Sequence, residues 1–353
     1  VANDDFEVLR VPIHLQRGNT LRDRRFRLSP DFGWDTRLAA IYGDAPGITI
    51  ENVELVGDEK WQQRWFTLTP KGTRIVQRGM PAELTGIRLQ GCPRLRMDRV
   101  KVRGFPRAGV ETFGIDDSWL SNLEFERCFQ GLNVRPYKPN RRVRIEHVRV
   151  RDLWGPPFKG GWPGIGGPPS VRPGEYIGSD GLVLGSMIDS SVGDVHVLGE
   201  QLLGIKLGGS SRNVDISTFV GSGFMVQGTD TAVTNQAPTV GITLRNSVID
   251  KSLGSGSHVE NGNAVQVSFH VHGFRLLDSQ LRGRGKNGNA IEFAVDVQGE
   301  VRGCSISGFN GTRGGGPCHA ISLWDGGKVN DDFATANEFV DQQRLVYVGG
   351  PRK

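Results

Sequence analysis

The sequence predicts an all-β coil of stacked rungs, a parallel solenoid, and three observations predict it. One short phrase, a glycine or alanine followed by alternating apolar residues, returns along the 353 residues at a nearly regular step. Each phrase is followed by a second alternating run, closed by Gly, Ser, Asn or Asp. No long stretch carries the periodicity of an amphipathic helix.

The phrase reads GIRL from Gly86, GVETF from Gly109, GLNV from Gly131, GLVL from Gly181, GIKL from Gly204 and GFMV from Gly223. Alanine opens it in AVQV at Ala264, AIEF at Ala290 and AISL at Ala320. Steps of 23, 22, 50, 23, 19, 41, 26 and 30 residues separate them, so the two long steps hold an insertion or a second, imperfect period. The second runs include LRMDRVKVRG, LSNLEFERC, VRIEHVRVRD, VGDVHVLGE and VDISTFVG. Such alternation between turn residues is the signature of short strands. One rung of two or three short strands cannot bury its apolar face alone. Rungs stacked about 4.8 Å apart share an interior and satisfy one another's backbone. An antiparallel sandwich or a propeller would also use many strands, but a blade needs about 40 residues, roughly twice the step seen here.

Residues 1–353 therefore read as one solenoid domain of about 11–13 rungs with insertions at about 57–83 and 155–178. The second insertion holds six prolines and many glycines, which excludes regular helix or central strand. With Trp154, Trp162 and Tyr176 in or beside it, it reads as an ordered flap over a groove, or else as a packed surface insertion.

Phrases such as GIKLGGSSRNVDISTFVGSG and GIRLQGCPRLRMDRVKVRGF resemble the right-handed parallel β-helix superfamily that includes pectate lyases, polygalacturonases, alginate-modifying enzymes and phage tailspikes. The resemblance covers most of the chain from about residue 47 onward and rests on residues that encode stacking. It implies a right-handed coil acting on polysaccharide, and no particular chemistry. The polygalacturonase motifs N-T-D, D-D, G-H-G and R-I-K are not met: Gly178-Ser179-Asp180 supplies one aspartate, Leu202-Leu203 stands where two belong, and Gly221-Ser222-Gly223 lacks the histidine. GIDDSW, with Asp116 and Asp117, lacks the proline and histidine of the epimerase D-P-H motif and reads as turn chemistry.

Composition bounds the rest. Fifty glycines and eighteen prolines demand many turns, while a 37% hydrophobic share is enough for a core. No apolar run is long enough for a membrane helix. The net charge of +5 favours an anionic partner, and no nucleic-acid module accompanies it. The outward arginines of VRIEHVRVRD read as a solvated face. A secreted or periplasmic location is expected, with no leader in this chain. Cys304 and Cys318 could close a loop in an oxidising compartment; buried free thiols are the other reading, and no C-x-x-C pair suggests metal. His258, His270 and His272 lack supporting carboxylate spacing for zinc. Calcium held by acidic groove residues stays open, and no other cofactor is implied.

Strand alternation turns the apolar pair of G-I-x-L inward and x outward. The outward strip then contains Arg88, Glu111, Asn133, Lys206 and Glu292, with Arg135 and Gln227 two residues further on. If the second insertion lies within one rung, Glu111, Arg135, Asp180 and Lys206 occupy four successive rungs, with Arg135 and Lys206 each about 5 Å from Asp180. Asn263, Asn289 and His319 fall at equivalent corners and read as a stacked ladder.

Two chemistries fit this set. In β-elimination from a uronic acid, Arg135 or Arg88 clamps the carboxylate, Lys206 with a lowered pKa is the base, and Tyr137 or Tyr176 is the proton donor. In hydrolysis, Glu111 and Asp180 form an inverting carboxylate pair roughly 10 Å apart. The expectation is a polysaccharide lyase on an anionic glycan, with an inverting glycoside hydrolase second and a non-catalytic or tailspike-like glycan-binding module third. Asn133, Arg88, Gln227, Glu292, Trp154, Trp162 and Tyr176 would bind substrate, and the chain would be a monomer or homotrimer without membrane or nucleic-acid partners.

Overall fold

The computed structural model describes residues 5–57, 84–153, 180–199, 203–228, 237–254, 262–284, 288–311, 318–342 and 344–350. Both expected insertions, Gly57 apart, lie outside these residues. Among the described residues the strands form two sheets, of twelve and seventeen strands, in which every pairing is parallel. No helix among them is long and apolar enough to cross a membrane.

The twelve-stranded sheet, here the face sheet, is built from the repeated phrase. It runs from Ile13–Leu15 and Ala39–Gly43 through Thr85–Gln90, Ala108–Phe113, Leu132–Val134, Leu182–Gly185, Ile205–Gly208 and Phe224–Gln227 to Val346–Gly349. Its twelve strands give twelve rungs among the described residues, within the expected range, and the coil includes the first strands, ahead of the segment from about residue 47 that carries the resemblance. The strand Leu182–Gly185 pairs directly with Leu132–Val134, so the long step between Gly131 and Gly181 is one rung with an insertion.

The seventeen-stranded back sheet is bent. Asp23, Asn52, Arg99, Asn122, His147, Asp194 and Thr218 stack in register, each with φ between 49° and 55°. A left-handed residue in mid-strand turns the chain sharply, and Asn, Asp and His tolerate that region best. Five of these seven are of those types. The sequence does not announce this corner, because polar residues alternate outward across it.

Alternation holds on the face sheet: Ile87 and Leu89, Leu132 and Val134, Ile205 and Leu207, and Phe224 and Val226 are all fully buried. A file of rings, Phe219, Phe224, Phe274 and Phe293, runs through the interior with centroids 5.8–6.5 Å apart. The opening glycine has a packing cause. A Cβ at Gly204 would lie 2.3 Å from Cζ of Phe219, and one at Gly109 would lie 2.4 Å from Cδ1 of Phe125. At these two rungs the size of the facing phenylalanine therefore requires glycine where the chain enters the face sheet.

Candidate active site

Register sets the outward residues of the face sheet in two files. The first passes from Tyr42 through Arg88, Glu111, Asn133, Val183, Lys206, Met225, Gln266, Glu292 and Ser322 to Tyr347. The second carries Gly185, Gly208, Gln227, Ser268, Ala294 and Trp324, with Arg135 just beyond the end of Leu132–Val134.

Glu111 is the centre of the cationic end. Expected as an accessible acid, it is only 5% exposed, and three arginines converge on it. Arg88 Nε lies 3.0 Å from Oε1, Arg135 reaches Oε2 through Nη2 at 2.6 Å and Nε at 2.9 Å, and Arg107 Nε lies 3.7 Å from Oε2. A carboxylate so held orients its arginines and is not available as a proton-transfer group. Among the described residues the cluster sets three guanidinium groups around one carboxylate. Arg135 also donates to the Tyr137 hydroxyl at 3.2 Å, and the Tyr137 ring meets Phe113 edge-on at 5.5 Å. Arg88 further donates to the Arg37 carbonyl, and Arg37 lies over the Tyr42 ring at 4.3 Å.

Asp180 and Lys206 form the second charged group. Asp180 retains some open surface, yet it is set deeply enough among protein atoms that burial pushes its carboxyl up to about 6, while the charge of Lys206 pulls the other way. The expected line of Arg135, Asp180 and Lys206 at 5 Å steps is corrected here. Asp180 precedes the strand Leu182–Gly185, whereas Arg135 follows the strand of the rung before it, so the two lie at opposite edges of the sheet. The hydrolytic spacing changes too. Glu111 and Asp180 differ by two rungs along the axis and three positions across it, roughly 14 Å between backbone positions. Counting rungs measures only the axial part.

Other expected residues separate clearly. Asn133 is 3% exposed; its amide donates to Gln130 Oε1 at 2.7 Å, and its Oδ1 has no hydrogen-bond partner among the described residues. Glu292 is buried and accepts from Gln266 at 3.3 Å, and Gln227 is half-buried beside Ser268. Trp154, Trp162, Tyr176 and His258 lie outside the described residues. Asp116 and Asp117 serve the turn: Asp116 accepts from the Arg141 amide at 2.8 Å, and Asp117, at φ 57°, pairs with Arg142. The corner ladder is present, since Asn263 Oδ1 accepts from the Asn289 amide and Asn289 Oδ1 from the His319 amide, each at 3.0 Å. His270 and His272 both face Asp296, at 3.1 and 3.6 Å, a carboxylate the sequence spacing did not suggest. All four cysteines are buried, and no disulfide joins Cys304 to Cys318. Among the described residues no group of three His, Cys, Asp or Glu side chains is arranged to hold a metal ion.

Lys251 was not anticipated. It sits in a short 3-10 turn, Lys251–Leu253, is 4% exposed, and donates to the Asn263 carbonyl at 3.2 Å. Burial pushes its ammonium down to about 7. A lysine flanked by aspartate and serine gives no sequence signal of burial.

In backbone course the chain is similar to the A-module of the mannuronan C-5 epimerase AlgE4 from Azotobacter vinelandii, with a TM-score of 0.53 and 14% identity over 95% of this chain and 90% of that one. It is also similar to the N-terminal fragment of gene product 12 of bacteriophage Phi29, with a TM-score of 0.51 and 11% identity over 97% of this chain and 66% of that one. At such identities the likeness establishes the fold, a right-handed parallel β-helix, and nothing finer. No protein-family model matches the chain, and no curated protein matches its sequence.

Proposed function

We propose that this protein is a carbohydrate-active enzyme that lays an acidic polysaccharide along the face sheet and removes the proton α to a uronate carboxylate. The observation that carries this reading is the convergence of Arg88, Arg107 and Arg135 on one buried carboxylate, which gathers three guanidinium groups at one place on the outer face. Planar guanidinium groups suit a sugar carboxylate in both charge and geometry.

Geometry divides the labour. The arginine centre and Lys206 are three rungs apart, about 14 Å, so they serve different sugar units. The arginines anchor one carboxylate. At the reacting unit, the Lys206 ammonium neutralises the carboxylate and makes the α-proton more acidic. Asp180, whose carboxyl titrates at about 6, is mostly ionised at neutral pH and is poised to take that proton. Lys206 is thus reassigned from base to charge stabiliser, since its charged neighbour is a carboxylate. Breaking of the C4–O bond then forms the C4=C5 double bond of an unsaturated uronate, the departing oxygen taking a proton from the protonated Asp180 or from water, which is the lyase outcome. Return of a proton to the opposite face would give C-5 epimerisation, the activity named for the Azotobacter neighbour. Inverting hydrolysis is disfavoured, because Glu111 is buried and its carboxylate is engaged by arginine.

Incubation with polygalacturonate and polymannuronate tests the reading. Growth of ultraviolet absorbance from an unsaturated uronate supports elimination, and a changed epimer ratio by NMR without it supports epimerisation. New reducing ends without either mark a hydrolase, and binding with no product marks a glycan-binding module.

A further inference from the structure

We propose that the indole of Trp324 is a sugar-stacking platform that holds a ring of the bound chain about four rungs beyond Lys206, on the side away from the arginine centre. This inference rests on the reading of the face sheet as a polysaccharide groove.

Trp324 stands in the second outward file, on the strand Ile321–Trp324, and its neighbour in the next rung is Gly349. A Cβ at Gly349 would fall 2.2 Å from Cε3, 2.3 Å from Cζ3 and 2.9 Å from Cδ2 of the indole. The ring therefore lies against bare backbone, which only glycine allows. Tyr347 meets the indole with centroids 4.9 Å apart, His319 lies 5.0 Å from Tyr347, and Tyr347 is 37% exposed. Trp324 and Tyr347 thus gather at one end of the groove, with the nearly buried His319 packed on Tyr347, and flat aromatic faces suit the C–H face of a pyranose.

Between the two ends the second file is low, beside the longer side chains of the first. Between Arg135 and Trp324 the second file presents Gly185, Gly208, Gln227, Ser268 and Ala294, of which only Gln227 has a long side chain. At the opposite end, the outward and nearly buried Asn133 offers an acceptor oxygen with no partner among the described residues, suited to a sugar hydroxyl. One rung step is about the length of one sugar ring. Trp324 therefore contacts a unit about four residues from the one at Lys206, beyond the reach of a short oligomer anchored on the arginines.

Calorimetric titration with trimeric and nonameric oligogalacturonate and oligomannuronate tests this. Trp324→Ala should weaken nonamer binding roughly tenfold and leave trimer binding unchanged, with the same loss at low and high salt because stacking is uncharged. Trp324→Phe, which keeps a flat ring over Gly349, should retain most of the affinity and controls for folding. Equal weakening of trimer and nonamer, or no weakening of either, would overturn the platform while leaving the polysaccharide reading intact. Failure of the wild-type protein to bind any of these oligomers would overturn both.

Discussion

Arg135 donates through Nε and Nη2 to one oxygen of Glu111, at 2.9 and 2.6 Å, while Arg88 approaches the other oxygen at 3.0 Å. A buried carboxylate that faces several arginines is costly to remove, because those arginines then lose a shared counter-charge and repel one another. Glu111→Gln should therefore destabilise the fold by about 3 kcal/mol in urea unfolding. Arg135→Ala leaves Arg88 and Arg107 on the carboxylate and should cost no more than about 2 kcal/mol, yet it should weaken polyuronate binding clearly. The reverse ranking in stability would show that Glu111 is not the hub of the cluster.

Asp180 gives a pH signature with a definite sign. Its carboxyl titrates at about 6 in the folded protein and at about 4 when unfolded. The folded state holds the extra proton between those values, so this group's contribution to stability falls as pH rises from about 4 to 6 and is flat above. The loss is at most about 3 kcal/mol. Asp180→Asn should abolish it, read as the difference in melting temperature between variant and wild type at pH 4, 5, 6 and 7. If Asp180 is the base, the wild-type rate should rise through the same window and then level off.

Lys251 has the opposite sign. Its ammonium titrates at about 7 when folded, well below an unfolded lysine at about 10.4. The unfolded state holds more protons across that interval, so the group's contribution to stability rises with pH from about 7 to 10. Lys251→Met should be more stable than wild type at pH 6 by about 1–3 kcal/mol, with the gap closing toward pH 10. Denaturant midpoints at pH 6, 8 and 10 measure it, and a constant gap would mean that the lysine is not buried.

The glycine that opens each phrase is testable at two sites. Gly204→Ala would drive a methyl into Phe219 and should cost about 2–3 kcal/mol. Gly223→Ala meets Leu203 Cδ2 at 3.1 Å, a side-chain end that can yield, and should cost less than about 1 kcal/mol. Equal losses in urea unfolding would remove the packing explanation.

These glycines also mark what was legible in the sequence. Their recurrence set the rungs, and alternation set which side chains face outward, so Glu111, Asn133 and Lys206 were assigned to the same file that the strand pairing builds. Position across a strand was not legible. Asp180 and Arg135 sit at opposite strand ends, and repeat counting carries no information about that axis. Burial of charge was equally hidden: Glu111 is covered by long arginine side chains from its own and neighbouring rungs, and Lys251 is buried within a turn whose residues look like surface. The bend at Asn122 and Asp194 escaped because a left-handed residue can be polar and still sit within an alternating run.

The central claim is that Asp180 and Lys206 act on a uronate whose chain is anchored by the arginine cluster. Its most direct measurement is the initial rate of unsaturated or epimerised product from the preferred polyuronate in wild type, Asp180→Asn and Lys206→Ala, with far-ultraviolet circular dichroism as the fold control. The account predicts at least a hundredfold loss in both variants, the cost of removing a positioned proton-transfer group or its charge partner, with unchanged spectra. A wild-type rate in either variant would contradict it.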